Sequence, residues 1–133
     1  MITTRLIPIS PSSATTEELL VEITEQLCRP FCVNSMAYPT ATVTFTTSPV
    51  SVINGNAVFT VFANVTVTSP DAKKCGCAHT QVFNESFDLA FNEGTTNVVT
   101  LTPGTEVRVV PAYVKCCKAG GVKLVTSLTA QIA

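Results

Sequence analysis

The stretch Asn56 to Thr68, NAVFTVFANVTVT, decides the fold. Its alternation sets Ala57, Phe59, Val61, Ala63, Val65 and Val67 on one face, and its β-branched content suits a pleated, half-buried surface. The opposite face carries Val58 and Phe62, so the strand is apolar on both sides. One side can face a core; the other needs a second cover, from a closed barrel or from a neighbouring subunit.

Working outward, Ile53-Asn54-Gly55-Asn56 precedes this strand with residues that tolerate positive φ, which predicts a tight hairpin. Residues 41 to 45, ATVTF, alternate Val43 and Phe45 with threonine and read as a further strand. On the C-terminal side, QVFNESFDLAF sets Phe83, Phe87, Leu89 and Phe91 at even separations, with Glu85 as the one polar misfit. Thr102-Pro103-Gly104-Thr105 has the chemistry of a type II turn and predicts a second hairpin, between NVVTL and EVRVVPAYVKCC. A last strand pairs with that one across Lys118-Ala119-Gly120 and keeps Val122, Leu124, Thr126, Leu128, Ala130 and Ile132 in one register. Pro111 lacks a backbone donor, so its strand belongs at an edge or a bulge. The same strand has Val110, Ala112 and Val114 opposing Val107, Val109 and Tyr113, apolar on both faces again.

The segment TTEELLVEITEQLCRP fits two periods. Leu19, Leu20, Ile23 and Leu27 make a helical stripe, Thr15 and Glu18 have capping-box spacing, and Arg29-Pro30 is a stop. Leu19, Val21, Ile23 and Leu27 also fit a strand, but the helix is the preferred reading. These elements predict an all-β, antiparallel β-sandwich or jelly-roll-like domain of about seven to eight strands with one short N-terminal helix. Residues 1–13, stiffened by Pro8 and Pro11, read as an extended arm, and residues 14–133 as one domain.

Charged residues are 13% of the chain, about half the usual share, and the net charge is -1. Thr, Ser, Asn and Ala take their place, which gives a weakly hydrated surface suited to being covered by other chains. Val58, Phe62, Val110 and Val114 are the residues expected at such interfaces. There is no basic field for nucleic acid and no apolar run near the ~18 residues of a membrane span. The start, MITTRLIPISPSS, has no continuous apolar core of a secretion signal, so synthesis in the cytoplasm without a recognisable signal peptide is expected.

Six cysteines form three close pairs: Cys28 and Cys32, Cys75 and Cys77, Cys116 and Cys117. Neighbours this near cannot adopt relaxed disulfide geometry with each other when zero or one residue intervenes, so their partners lie in other segments or other chains. Arg29, Lys73, Lys74, Lys115 and Lys118 stand beside them, and nearby cations favour thiolate, the form that cross-links or binds metal. A metal site is not the first expectation, because only Cys28 and Cys32 have a zinc-knuckle spacing. The alternative zinc set would be Cys75, Cys77, His79, Cys116 and Cys117. A Cys77/His79 dyad lacks an orienting acid, and no phosphate-cradling loop occurs, so no enzyme and no cofactor is expected.

The expected function is therefore a non-enzymatic structural protein that packs with itself, and with other structural proteins, into a homo-oligomeric assembly. A bacteriophage virion component, capsid-decorating or tail-associated, fits best, with the virion or an extracellular assembly as its final location. The alternatives are a subunit of a disulfide-cross-linked extracellular filament or spore-surface layer, and a small zinc- or ligand-binding β module.

Overall fold

The computed structural model describes residues 1–9, 14–33, 39–68, 80–92, 98–116 and 118–132, with the backbone alone for Arg29. Nine strands and no helix occur among them: β1(Ile2–Ile7), β2(Thr16–Cys32), β3(Thr40–Thr47), β4(Ser51–Ile53), β5(Asn56–Thr68), β6(Thr80–Phe91), β7(Val99–Pro103), β8(Arg108–Lys115) and β9(Lys118–Ile132). They form two antiparallel sheets with a sandwich-like core. In the first, β9 is central, with β2 and then β1 on one side and β7 and β8 end to end on the other. In the second, β5 is central, with β6 on one side and β3 and β4 in line on the other.

The period-2 faces read from the sequence are the core. Ala57 through Val67 at odd positions on β5, and Val122, Leu124, Leu128, Ala130 and Ile132 on β9, are buried. Burying each large aliphatic side chain contributes roughly 1.5–3 kcal/mol, which is why these two long strands sit at the centres of their sheets. Phe59 and Phe91 stack with ring centroids 6.0 Å apart, joining β5 to β6. The hairpin before β5 is as expected: Ile53 pairs with Asn56, and Asn54 and Gly55 have φ of 52° and 80°.

The helix expected near residues 16 to 27 is not there. That segment is β2, paired with β9 from Thr16↔Gln131 to Gln26↔Gly121, and Leu19, Val21, Ile23, Glu25 and Leu27 are buried along one face. Leu19, Ile23 and Leu27 are four apart, a spacing that satisfies both periods, so local pattern could not choose. Pairing along both edges of β2 outweighs the helix propensity of its Leu and Glu residues, which amounts to only a few tenths of a kcal/mol each. Five steps along β2, from Gln26 to Phe31, then oppose two along β9, from Gly121 to Ala119. This bulge accommodates Pro30, which cannot donate to a ladder, and returns Phe31 to the core.

The hairpin expected at Thr102-Pro103-Gly104-Thr105 is also absent. β7 and β8 do not pair with each other; both pair with β9, one beyond the other, and the chain between them continues along the same edge. Gly104 is anchored there, its N–H donating to the Ser127 carbonyl at 2.8 Å, and it does not have the positive φ of a type II turn. The β8–β9 hairpin does form, with a tighter turn than expected, since Lys115 already pairs with Lys118. β8 is an edge strand, as Pro111 required. Ile2–Ile7, within the segment read as an arm, pairs with Glu18–Ile23 of β2.

Candidate functional site

Among the charged residues that interrupt the apolar alternation of core-facing positions are Glu25 on β2 and Glu85 on β6. The fold brings them together at the side where β1 lies along β6. Between them sits the Met1 ammonium, donating to Glu85 Oε1 at 2.8 Å, Glu25 Oε1 at 3.2 Å and the Thr24 carbonyl at 2.8 Å. The Thr24 N–H donates back to the Met1 carbonyl at 2.8 Å. One cation thus ties β1 to both sheets.

Burial pushes the Glu25 carboxyl up to about 7, helped by the hydrogen bond it makes to Glu85 and opposed by the ammonium. Glu85 is held below its ordinary value, first by the hydrogen bond from Glu25 and then by the ammonium, against its own partial burial. Desolvation would lower the Met1 ammonium, but its hydrogen bonds to Glu85 and Glu25 and their charge raise it. Below about pH 7 the proton therefore resides on Glu25 and the negative charge on Glu85. Because the folded value of Glu25 lies above the unfolded one, its stabilisation is complete below pH ~4.5 and is lost as pH rises through about 7. Glu85 acts in the opposite sense, contributing above its ordinary value and losing that as pH falls. Glu25→Gln keeps a neutral donor at this position. In urea unfolding it is expected to be about 1–3 kcal/mol more stable than wild type at pH 8, with no gain at pH 4.5. Equal stability of the two proteins at pH 8 would show that burial does not penalise the ionised carboxylate.

The cysteines occupy a different region. Cys28, in the β2 bulge, is disulfide-bonded, with its partner outside the described residues, and its N–H donates to Gln81 Oε1 at 3.3 Å. Cys32 and Cys116 are exposed free thiols. Cys32 pairs with Lys118, and Lys118 with Lys115, so the end of β2 and the turn that carries Cys116 are side by side. Gln81 places the start of β6 at the same end, where Thr80 pairs with Thr68. The strand ends that flank all three cysteine pairs are therefore gathered at one end of the molecule. Cys75, Cys77, His79 and Cys117 lie outside the described residues, as do Lys73 and Lys74. Among the described residues, no three His, Cys, Asp or Glu side chains are grouped to hold a metal. Alkylation of the folded protein without reductant is expected to label Cys32 and Cys116 and to spare Cys28 until a reductant is added. Peptide mass mapping reads the outcome, and a label on Cys28 before reduction would make it a thiol.

The outer faces of the two sheets differ in charge. The first sheet carries Arg5, Glu18, Glu22, Arg108 and Lys123 on its solvent side, with Lys123 Nζ 3.3 Å from Glu22 Oε2. It also has a shallow depression of about 200 Å³ lined by Thr3, Thr4, Arg5, Leu20 and Glu22, below the ~300–1,000 Å³ of small-molecule pockets. The second sheet presents Thr40, Thr42, Thr44 and Thr46 from β3, and its single described charge on this face is Asp88. Polar groups there bond to one another across strands: Asn64 Nδ2 to Asn84 Oδ1 at 3.1 Å, Thr60 Oγ1 to Asp88 Oδ1 at 2.7 Å. Among them stand Phe62, 46% exposed, and Val82, 58% exposed.

Of the residues expected at interfaces, Val58 and Phe62 therefore share this uncharged face, with Val58 half-buried. Val110 is half-buried on the other sheet, opposite Lys123, and Val114 is exposed near the thiol end. The four do not form one patch. Sequence reading missed Val82, which alternates out of phase with the phenylalanines of β6, and missed the Glu25–Glu85 pair. The signal for the pair was present in each strand as a glutamate at an apolar position. No family model, no curated protein and no solved structure matches this chain.

Proposed function

We propose that this protein is a non-enzymatic structural subunit that assembles with copies of itself, as a capsid-decorating or tail-associated component of a bacteriophage virion. The observation that carries the reading is the segregation of charge: one sheet bears a mixed, solvated surface and the other an almost uncharged one with exposed Phe62 and Val82. A sheet face with so little charge is weakly hydrated, and covering it costs little desolvation of ions. The pair of sheets is read as a jelly-roll-like shell module that needs no cofactor, made in the cytoplasm and ending in the virion.

A second reading, a subunit of a cross-linked extracellular filament, is favoured by one observation, the two exposed thiols beside Lys115 and Lys118 at one end of the molecule. Light scattering and negative-stain electron microscopy of the purified protein, with and without reductant, test both. Discrete particles or rings that persist in reductant support the virion reading; filaments that dissolve in reductant support the other. A monomer at ~100 μM under both conditions overturns self-assembly, since a stable interface would be populated well below that concentration.

A further inference from the structure

The uncharged outer face of the second sheet, spanning β3, β5 and β6, has a definite shape and chemistry. We propose that it is a self-complementary interface that packs face to face on the same sheet of a second copy of this chain. The inference rests on the assembly reading above and names the surface and partner that the reading leaves open.

Three features point to a second copy. The first is area. β5 and β6, 13 and 12 residues long, and the shorter β3 of 8 residues, about 4.8 Å apart with ~3.3 Å per residue, give on the order of 520 Å² per copy. Two copies then bury about 1,050 Å², just above the ~1,000 Å² that a specific interface should clear.

The second feature is charge. Placing a face on itself opposes like with like, which is unfavourable for the first sheet with its several ions. Here Asp88 is the one described charge, and its carboxylate already accepts from Thr60 Oγ1 at 2.7 Å. Asn64 Nδ2 likewise donates to Asn84 Oδ1 at 3.1 Å. Polar groups paired within the face can be covered without being left unpaired.

The third is register. In a two-fold interface residue i meets residue j of the partner, and j meets i. Phe62 pairs with Ser86 and Val82 with Thr66, so these two exposed apolar side chains lie on neighbouring strands on either side of the Asn64↔Asn84 row. A two-fold axis lying between the sheets, through the middle of that row and inclined about 20° to it given the strand spacing, sets each Phe62 against the other copy's Val82. It also carries Asp88 away from its own symmetry mate, toward the Thr68↔Thr80 end of the other copy. Sheets stacked this way are about 10 Å apart, the distance at which such side chains interdigitate.

The experiment is sedimentation velocity on the full chain in reductant, so that thiol cross-links do not contribute. Wild type is compared with Phe62→Asp, Val82→Lys and, as a control on the edge of the other sheet, Leu6→Asp; thermal unfolding confirms that each is folded. Phe62→Asp and Val82→Lys are each expected to weaken self-association at least about 100-fold, as burying an unpaired charge costs several kcal/mol, and Leu6→Asp to leave it unchanged. Mixing Phe62→Asp with Val82→Lys should recover a heterodimer, because one contact becomes Asp against Lys and the other remains Val against Phe. Wild type that assembles, with folded Phe62→Asp and Val82→Lys assembling equally well, overturns this face and leaves the assembly reading intact. Wild type that stays monomeric overturns both. Dissociation by each variant without recovery on mixing overturns the proposed two-fold register.

Discussion

Phe31→Ala is expected to lower the unfolding free energy by about 3–5 kcal/mol, read as a fall in the urea midpoint. Phe31 is 1% exposed and is the residue with which β2 rejoins β9 after its bulge, paired with Ala119. Its ring fills the core at the end of the sandwich where β2 and the β8–β9 turn lie side by side. No other large side chain of β2 lies beyond the bulge to close the cavity left by truncation. A domain of this size has roughly 5–15 kcal/mol in total, so the variant should be marginal at 37 °C. Leu6→Ala, at an exposed position of β1, supplies the comparison and should cost under about 1 kcal/mol. A loss below about 1 kcal/mol for Phe31→Ala would mean that the end of the sandwich relaxes around the cavity.

Gly121→Val is expected to cost about 3 kcal/mol or more, or to prevent folding, whereas Gly120→Ala should be tolerated within about 1 kcal/mol. A Cβ at Gly121 would overlap the Glu25 carbonyl oxygen and come within 2.6 Å of Tyr113 Cδ2. The Tyr113 ring can swing away, because it is exposed. The Glu25 carbonyl cannot, since it belongs to the β2 ladder just before the bulge. At Gly120 the nearest atoms are Tyr113 Cβ and its carbonyl oxygen, both at 3.8 Å, ordinary contact distance. Adjacent glycines thus differ in what they face. Expression yield and thermal midpoint of the two variants measure the difference, and equal tolerance would show that the backbone of β2 yields.

Much of this arrangement is legible in the residues. The odd positions of β5, the even positions of β9 and the Asn54-Gly55 hairpin follow from side-chain alternation and from which residues accept positive φ, both properties of a few neighbours in the chain. Where local chemistry is compatible with two outcomes, it misleads. Leu19, Ile23 and Leu27 suit a helix until β9 is present to pair with them. Thr102-Pro103-Gly104-Thr105 has the composition of a reversing turn, yet the unpaired length of β9 holds β7 and β8 in line. The interface candidates divide in the same way. Val58 and Phe62 were readable as a second apolar side of one strand, but grouping them with Val82, and separating them from Val110 and Val114, required the order of strands in each sheet.

By itself the sequence determined the class of fold, the two central strands and an unusually uncharged surface, because alternation and composition act at short range. Only the tertiary structure decided that β2 is a strand, that the low charge is concentrated on one sheet, and that two misplaced glutamates meet at one ammonium. Those outcomes depend on contacts between residues far apart in the chain, as with Glu25 and Glu85, whose separation in sequence carries no trace of their meeting. Burial raises the one carboxyl and lowers, through it, the other, and burial is a property of the folded molecule alone.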